Sequence, residues 1–225
     1  MRGSCQRHSV IIATVIAALF LHALARPAGG QQSPAASLPR EHFDHADVLY
    51  DWVSNNRGER LRTFVPRPKN VSGKVPVIFF VGWLSCDSVE YVKGETDGFG
   101  ALMRRLIDQS GYASLRMDKP GVGESQGVCE KADFQSELDG YRKAFDSLSK
   151  YDFIDTNRTF VVGLSNGGGV SPFVSGKHRV AGFVPASSWG RTWYEHMLEL
   201  ERLRLTADGK SPAEVNQSVR AFSEF

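Results

Sequence analysis

Gly163-Leu164-Ser165-Asn166-Gly167 sets a serine midway between two glycines, immediately after the apolar run Phe160-Val161-Val162 and before Gly168-Gly169-Val170. That context reads as a sharp turn from a strand into a helix. Such a turn strains the backbone at the serine, and small flanking residues such as Gly163 and Gly167 are what leave room for it. The hydroxyl of Ser165 then stands above the sheet. A helix opening at that point aims its free N–H groups and positive dipole end at the same place, which favours an anionic intermediate. The chemistry implied is nucleophilic attack on a carbonyl.

Other glycine-rich readings fail on residue type. A Walker-type phosphate loop needs Lys directly before its Ser or Thr, and Leu164 precedes Ser165. Gly121-Val122-Gly123-Glu124-Ser125-Gln126-Gly127 resembles a dinucleotide fingerprint, but its third glycine comes one place late and no helix is expected before Asp133. No cofactor is therefore called for. Glu41-His42-Phe43-Asp44-His45-Ala46-Asp47 gathers carboxylates and imidazoles without a metal-ligand spacing and reads as a solvated polar stretch.

A serine hydroxyl also needs a general base. Downstream of Ser165 the histidines are His178 and His196. His178 precedes a strand, which puts it at the opposite end of the sheet from the turn. His196 falls on a helix, expected over residues 192–205, whose stripe Trp193, Met197 and Leu200 reads as an amphipathic lid. Neither is well placed to serve.

The elements that must position these groups follow from periodicity. Residues 48–53 and 60–65 form a hairpin around Asn55-Asn56-Arg57-Gly58. Residues 75–81 are continuously apolar, as in a strand covered on both faces. The stripe Phe99, Leu102, Met103 and Leu106 predicts a helix capped by Asp97 and stopped at Gly111, and a strand follows over residues 112–117. Phe134, Leu138, Tyr141, Phe145 and Leu148 predict the next helix after Asp133. Strands at residues 159–162 and 180–186 flank a helix at residues 165–174. Alternation of this kind is a right-handed, mostly parallel, doubly wound α/β sheet. Cys86 and Cys129 each follow a strand, so both fall at one edge of the sheet and are expected to form a disulfide in an oxidising compartment. Two thiolates with no nearby His pair do not make a zinc site.

Three separated segments in this order resemble the α/β-hydrolase superfamily. The first is the Gly-x-Ser-x-Gly turn. The second, Phe80-Val81-Gly82-Trp83, is similar to the family's His-Gly-x segment, with Val81 where a histidine is usual. The third, Asp118-Lys119-Pro120-Gly121-Val122-Gly123-Glu124-Ser125, is similar to the Asp-x-Pro-Gly-x-Gly-x-Ser turn after the fourth strand. Among subgroups the chain looks most like exported bacterial hydrolases of the serine-aminopeptidase and dienelactone-hydrolase-like kind. The resemblance spans residues 48–186 and implies roles for single residues. Ser165 would be the nucleophile, and the main-chain N–H groups of Trp83 and Asn166 would hold the oxyanion. The family's acid and histidine follow a lid and two further strands, so residues 188–225 read as the start of that lid and the sequence as truncated within it.

Organisation and composition complete the picture. Residues 1–25 combine Arg2, Arg7 and His8, an apolar run over residues 10–21 and the triplet Ala23-Leu24-Ala25, the pattern of a cleaved signal peptide. Such a run is shorter than the roughly 20 residues a membrane span needs. Residues 26–45, rich in Pro, Gly and Gln, read as a flexible linker, and residues 46–187 as the core. The full chain carries 27 basic and 25 acidic residues; without Arg2 and Arg7 the two are equal, so a nucleic-acid surface is not indicated. Asn70, Asn157 and Asn216 would be glycan acceptors only on a eukaryotic secretory route. The function expected is that of an exported serine hydrolase acting on a small ester, amide or peptide. A non-catalytic binding module on the same fold is the alternative, and acyl transfer to an acceptor other than water is a third reading.

Overall fold

The computed structural model describes residues 40–92, 94 and 98–224. The expected signal peptide, residues 26–39 of the expected linker and the expected cap Asp97 lie outside the described residues. Six strands form one sheet in the order β1-β2-β4-β3-β5-β6. Strands β1 (Ala46–Ser54) and β2 (Arg60–Pro68) form the antiparallel hairpin, and β2 also runs antiparallel to β4 (Ala113–Met117). From β4 onward the pairing is parallel, through β3 (Val75–Val81), β5 (Ile154–Leu164) and β6 (Gly182–Ala186).

The apolar run of β3 is buried on both faces. Val77, Phe79 and Val81 point into one cluster with Leu138, Tyr141 and Phe145 of helix α2 (Phe134–Asp146) and Val170 and Val174 of α3 (Asn166–Val174). Phe80, facing the other way, packs with Met103 and Ile107 of α1 (Gly98–Gln109). A side-chain period of two therefore distributes one strand between two cores. Truncating Phe79, which is fully buried, is expected to cost about 3–5 kcal/mol.

Several expectations need correction, among them Phe134 of the expected α2 stripe, which is exposed. Leu102 of α1 is exposed, and the buried face of that helix runs through Gly100, Met103 and Ile107 instead. Residues 41–43 are not a solvated stretch. Glu41 is buried and forms a two-pronged ion pair with Arg116 of β4, at 2.6 and 2.7 Å, while Phe43 enters the core. The guanidinium of Arg116 is itself fully buried, and a buried charge needs a partner of opposite sign. Only the tertiary fold brings residue 41 to residue 116.

After β6 come α4 (Trp193–Ala207) and α5 (Pro212–Ser223), each opened by a capping box, Thr192 with Glu195 and Ser211 with Glu214. Leu205 is the buried residue of α4, whereas Trp193 and Leu200 of the expected stripe are exposed. Among the described residues no helix is long and apolar enough to cross a membrane.

Candidate active site

Ser165 occupies the junction between β5 and α3 with φ 54° and ψ −122°, one of three non-glycine residues described with positive φ. Such a conformation costs of order 1–3 kcal/mol and persists only where surrounding contacts impose it. Here the Ser165 N–H donates to the Ala186 carbonyl at 2.9 Å, and the Ser165 carbonyl accepts from the Gly168 N–H at 3.0 Å. The flanking glycines are sterically required. A Cβ on Gly163 would lie 2.2 Å from Ser171 Oγ and 2.4 Å from the Gly167 carbonyl oxygen. A Cβ on Gly167 would lie 2.2 and 2.3 Å from the carbonyl oxygens of Val81 and Gly82. The first turn of α3 thus rests directly on the carboxyl end of β3. That contact brings Asn166 beside the segment holding Trp83, although the two residues are 83 positions apart in sequence.

The main-chain N–H groups of Trp83 and Asn166 donate to no acceptor among the described residues, whereas the polar groups around them are engaged. Gly82 N–H donates to the buried Tyr141 hydroxyl at 3.1 Å. Lys119 Nζ donates to the carbonyls of Trp83 at 2.9 Å and Leu84 at 2.8 Å and pairs with Glu137 at 3.2 Å. Glu137 and Tyr141 lie one turn apart on α2, so a single helix face holds the segment from both directions. Farther along, the Asp118 carboxylate accepts from the Val89 N–H at 2.8 Å and the Ser88 hydroxyl at 2.9 Å. Cys86 and Cys129 are bonded as a disulfide, their Cα atoms 6.0 Å apart.

Burial sets the electrostatics of this support. It raises the Tyr141 phenol and the carboxyls of Glu137 and Asp118 above their ordinary ranges, against the opposing pull of Lys119 on Glu137. Asp87, exposed, is held low by hydrogen bonds from the Ser85 hydroxyl and the Trp83 indole. Sequence reasoning missed Lys119, Glu137 and Tyr141 as supports of this segment. Tyr141 read as one member of a core stripe, and nothing in residue spacing links it to Gly82.

The histidines stand apart from Ser165. His178 Nε2 lies 3.3 Å from Asp146 at the far end of α2, and the His196 ring packs on Trp193. Among the described residues no imidazole or carboxylate is hydrogen-bonded to Ser165 Oγ. Nor is there a group of three His, Cys, Asp or Glu able to hold a metal ion among the described residues. Beside Asn166 opens a cavity of about 750 Å³, walled largely by Leu84, Phe134, Phe173, Trp189 and Trp193.

No protein-family model matches the chain, and no curated protein does either. Solved structures do. A hypothetical protein from Pseudomonas aeruginosa superposes with a TM-score of 0.52 at 18% identity, covering 81% of this chain and 61% of its own. Acetyl xylan esterase 1 from Thermoanaerobacterium sp. gives 0.51 at 19% identity, over 82% and 58%. Est1E from Butyrivibrio proteoclasticus, solved with ferulic acid, gives 0.51 at 20% identity, over 68% and 56%. The chain has the α/β-hydrolase fold. It spans about 60% of the length of these structures.

Proposed function

We propose that this chain carries the nucleophile and oxyanion site of an exported serine hydrolase acting on small esters or amides. The observation that supports it most is the strained Ser165 near two main-chain N–H groups, of Trp83 and Asn166, that have no acceptor among the described residues. Ser165 Oγ attacks the substrate carbonyl carbon as its proton passes to a base. The carbonyl oxygen becomes an oxyanion that accepts hydrogen bonds from those two N–H groups. Collapse of the adduct expels the alcohol or amine with a proton and leaves an acyl-serine, which water hydrolyses. Each oxyanion donor typically contributes about 3 kcal/mol. One of the similar structures, acetyl xylan esterase 1, is an esterase by name, which favours an ester as the bond cleaved. Export is supported by the leader-like residues 1–25 and by a disulfide, which persists in oxidising compartments.

The described residues supply no base in contact with Ser165, and this favours one alternative, a non-catalytic binding module on the same fold. Covalent labelling by a fluorophosphonate separates the two. Labelling of the full-length protein that is lost in Ser165→Ala supports the hydrolase. Absence of labelling in the folded full-length protein overturns it in favour of the binding module.

A further inference from the structure

The cavity beside Asn166 is walled by side chains from five parts of the fold. Leu84 belongs to the segment after β3, Phe134 to the start of α2, Phe173 to the end of α3, Trp189 to the turn after β6 and Trp193 to the start of α4. Their rings meet as two edge-to-face pairs, Phe134 with Phe173 and Trp189 with Trp193, each with centroids 6.0 Å apart. Four of these side chains nonetheless stay exposed: Leu84 at 59%, Phe173 at 51%, Phe134 at 48% and Trp193 at 43%. Large apolar groups left open around one concavity are the mark of a site that receives apolar surface from a ligand.

The position of the Trp189 ring depends on a glycine. A Cβ on Gly169 would fall 2.2 Å from the indole, so only glycine there lets the ring lie against the first turn of α3. The glycine run after Ser165 therefore serves two ends, since Gly167 seats the helix on β3 and Gly169 seats the cavity wall. The indole Nε1 of Trp189 is buried with no hydrogen-bond partner among the described residues.

Three charged residues line the cavity, Asp133, Glu137 and Arg191; the two acids are paired within the protein, whereas the exposed Arg191 forms no ion pair among the described residues. Glu137 pairs with Lys119, and Asp133 caps α2 and pairs with Arg57 at 3.0 Å. Aromatic rings in edge-to-face contact gain more than their buried area alone provides, and this wall offers four.

We infer that this cavity binds the aromatic ring of an ester, placing the scissile carbonyl at Ser165. That the bound molecule is an ester rests on the hydrolase reading; that the cavity takes an aromatic ring does not. The test is a ligand-detected NMR titration of full-length Ser165→Ala, which cannot turn over through that serine, with methyl 3-phenylpropanoate, methyl hexanoate and methyl acetate. The phenylpropanoate is expected to bind at least threefold more tightly than the hexanoate, and the acetate not to saturate. Phe134→Ala and Trp193→Ala, both at exposed positions, are expected to weaken binding of the phenylpropanoate about tenfold, while Phe183→Ala on the far edge of β6 leaves it unchanged. Equal or tighter binding of the hexanoate, or unchanged binding in both cavity variants, overturns the inference. Failed fluorophosphonate labelling with intact ring-selective binding would instead overturn the hydrolase reading alone.

Discussion

Lys119 Nζ lies 3.2 Å from the Glu137 carboxylate and at the same time donates to the carbonyls of Trp83 and Leu84. One ammonium thus joins the turn after β4, the face of α2 and the segment that bears a proposed oxyanion donor. The orientation of the peptide planes at residues 83–84 depends on it.

Lys119→Met removes those donors and leaves Glu137 buried without its counter-ion. Loss of about 3 kcal/mol of stability is expected, with a fall in fluorophosphonate labelling rate at temperatures where the variant remains folded. Glu137→Gln keeps a polar neighbour for Lys119 and is expected to be milder on both counts. Denaturant unfolding and labelling kinetics check the two together.

Glu137 also predicts a pH dependence. Burial raises its folded-state carboxyl above the ordinary value of 4.5, so the unfolded chain gives up this proton at lower pH than the folded one. Its contribution to stability is greatest below that ordinary value and declines as pH rises toward the elevated folded value. Unfolding measured across this interval should show a falling component that Glu137→Gln removes. A component that persists unchanged in the variant would assign it to other groups, Asp118 first.

Ser165→Gly should stabilise the fold while abolishing labelling. The residue sits at φ 54°, which glycine adopts freely, and relief of about 1 kcal/mol is expected in chemical denaturation. A variant that is less stable than the parent would mean that the backbone there is not strained.

Gly167→Ala should do the opposite. The added Cβ meets two backbone carbonyl oxygens of the β3 end within 2.3 Å, and neither can move without disturbing the strand. About 3 kcal/mol of destabilisation is expected from the overpacking, accompanied by loss of labelling as α3 is pushed away from Trp83. Thermal unfolding and labelling report these separately.

The disulfide joins positions 43 residues apart. Replacing both cysteines by serine should lower stability by about 2–4 kcal/mol through a less constrained unfolded chain. Labelling of the folded variant should be largely retained, because Lys119 and Asp118 still hold the same segment. Unfolding midpoints and labelling rates of the double variant measure both effects.

Much of this architecture was legible along the chain because each signal is local. The apolar run of β3, the Asp133 cap of α2 and the glycines about Ser165 act within a few residues of themselves. The Cys86–Cys129 pairing was legible for a related reason, since both cysteines follow neighbouring parallel strands and so emerge at one sheet edge. Leu102 misled because a helix stripe defines a face only to within a residue or so, and the packing of Met103 and Ile107 on Phe80 selected the adjacent one.

The sequence by itself determined the order of strands and helices, the sharp turn at Ser165 and the small residues it requires, because these depend on backbone sterics and side-chain period. Tertiary structure alone decided that Glu41 enters the core to meet Arg116, that Tyr141 and Lys119 hold residues 82–84, and that five apolar side chains from separate elements wall one cavity. Glu41 and Arg116 are 75 residues apart, Gly82 and Tyr141 59, and Trp83 and Lys119 36, and a buried charge or an unpaired backbone group finds such a partner only once the sheet has brought them together.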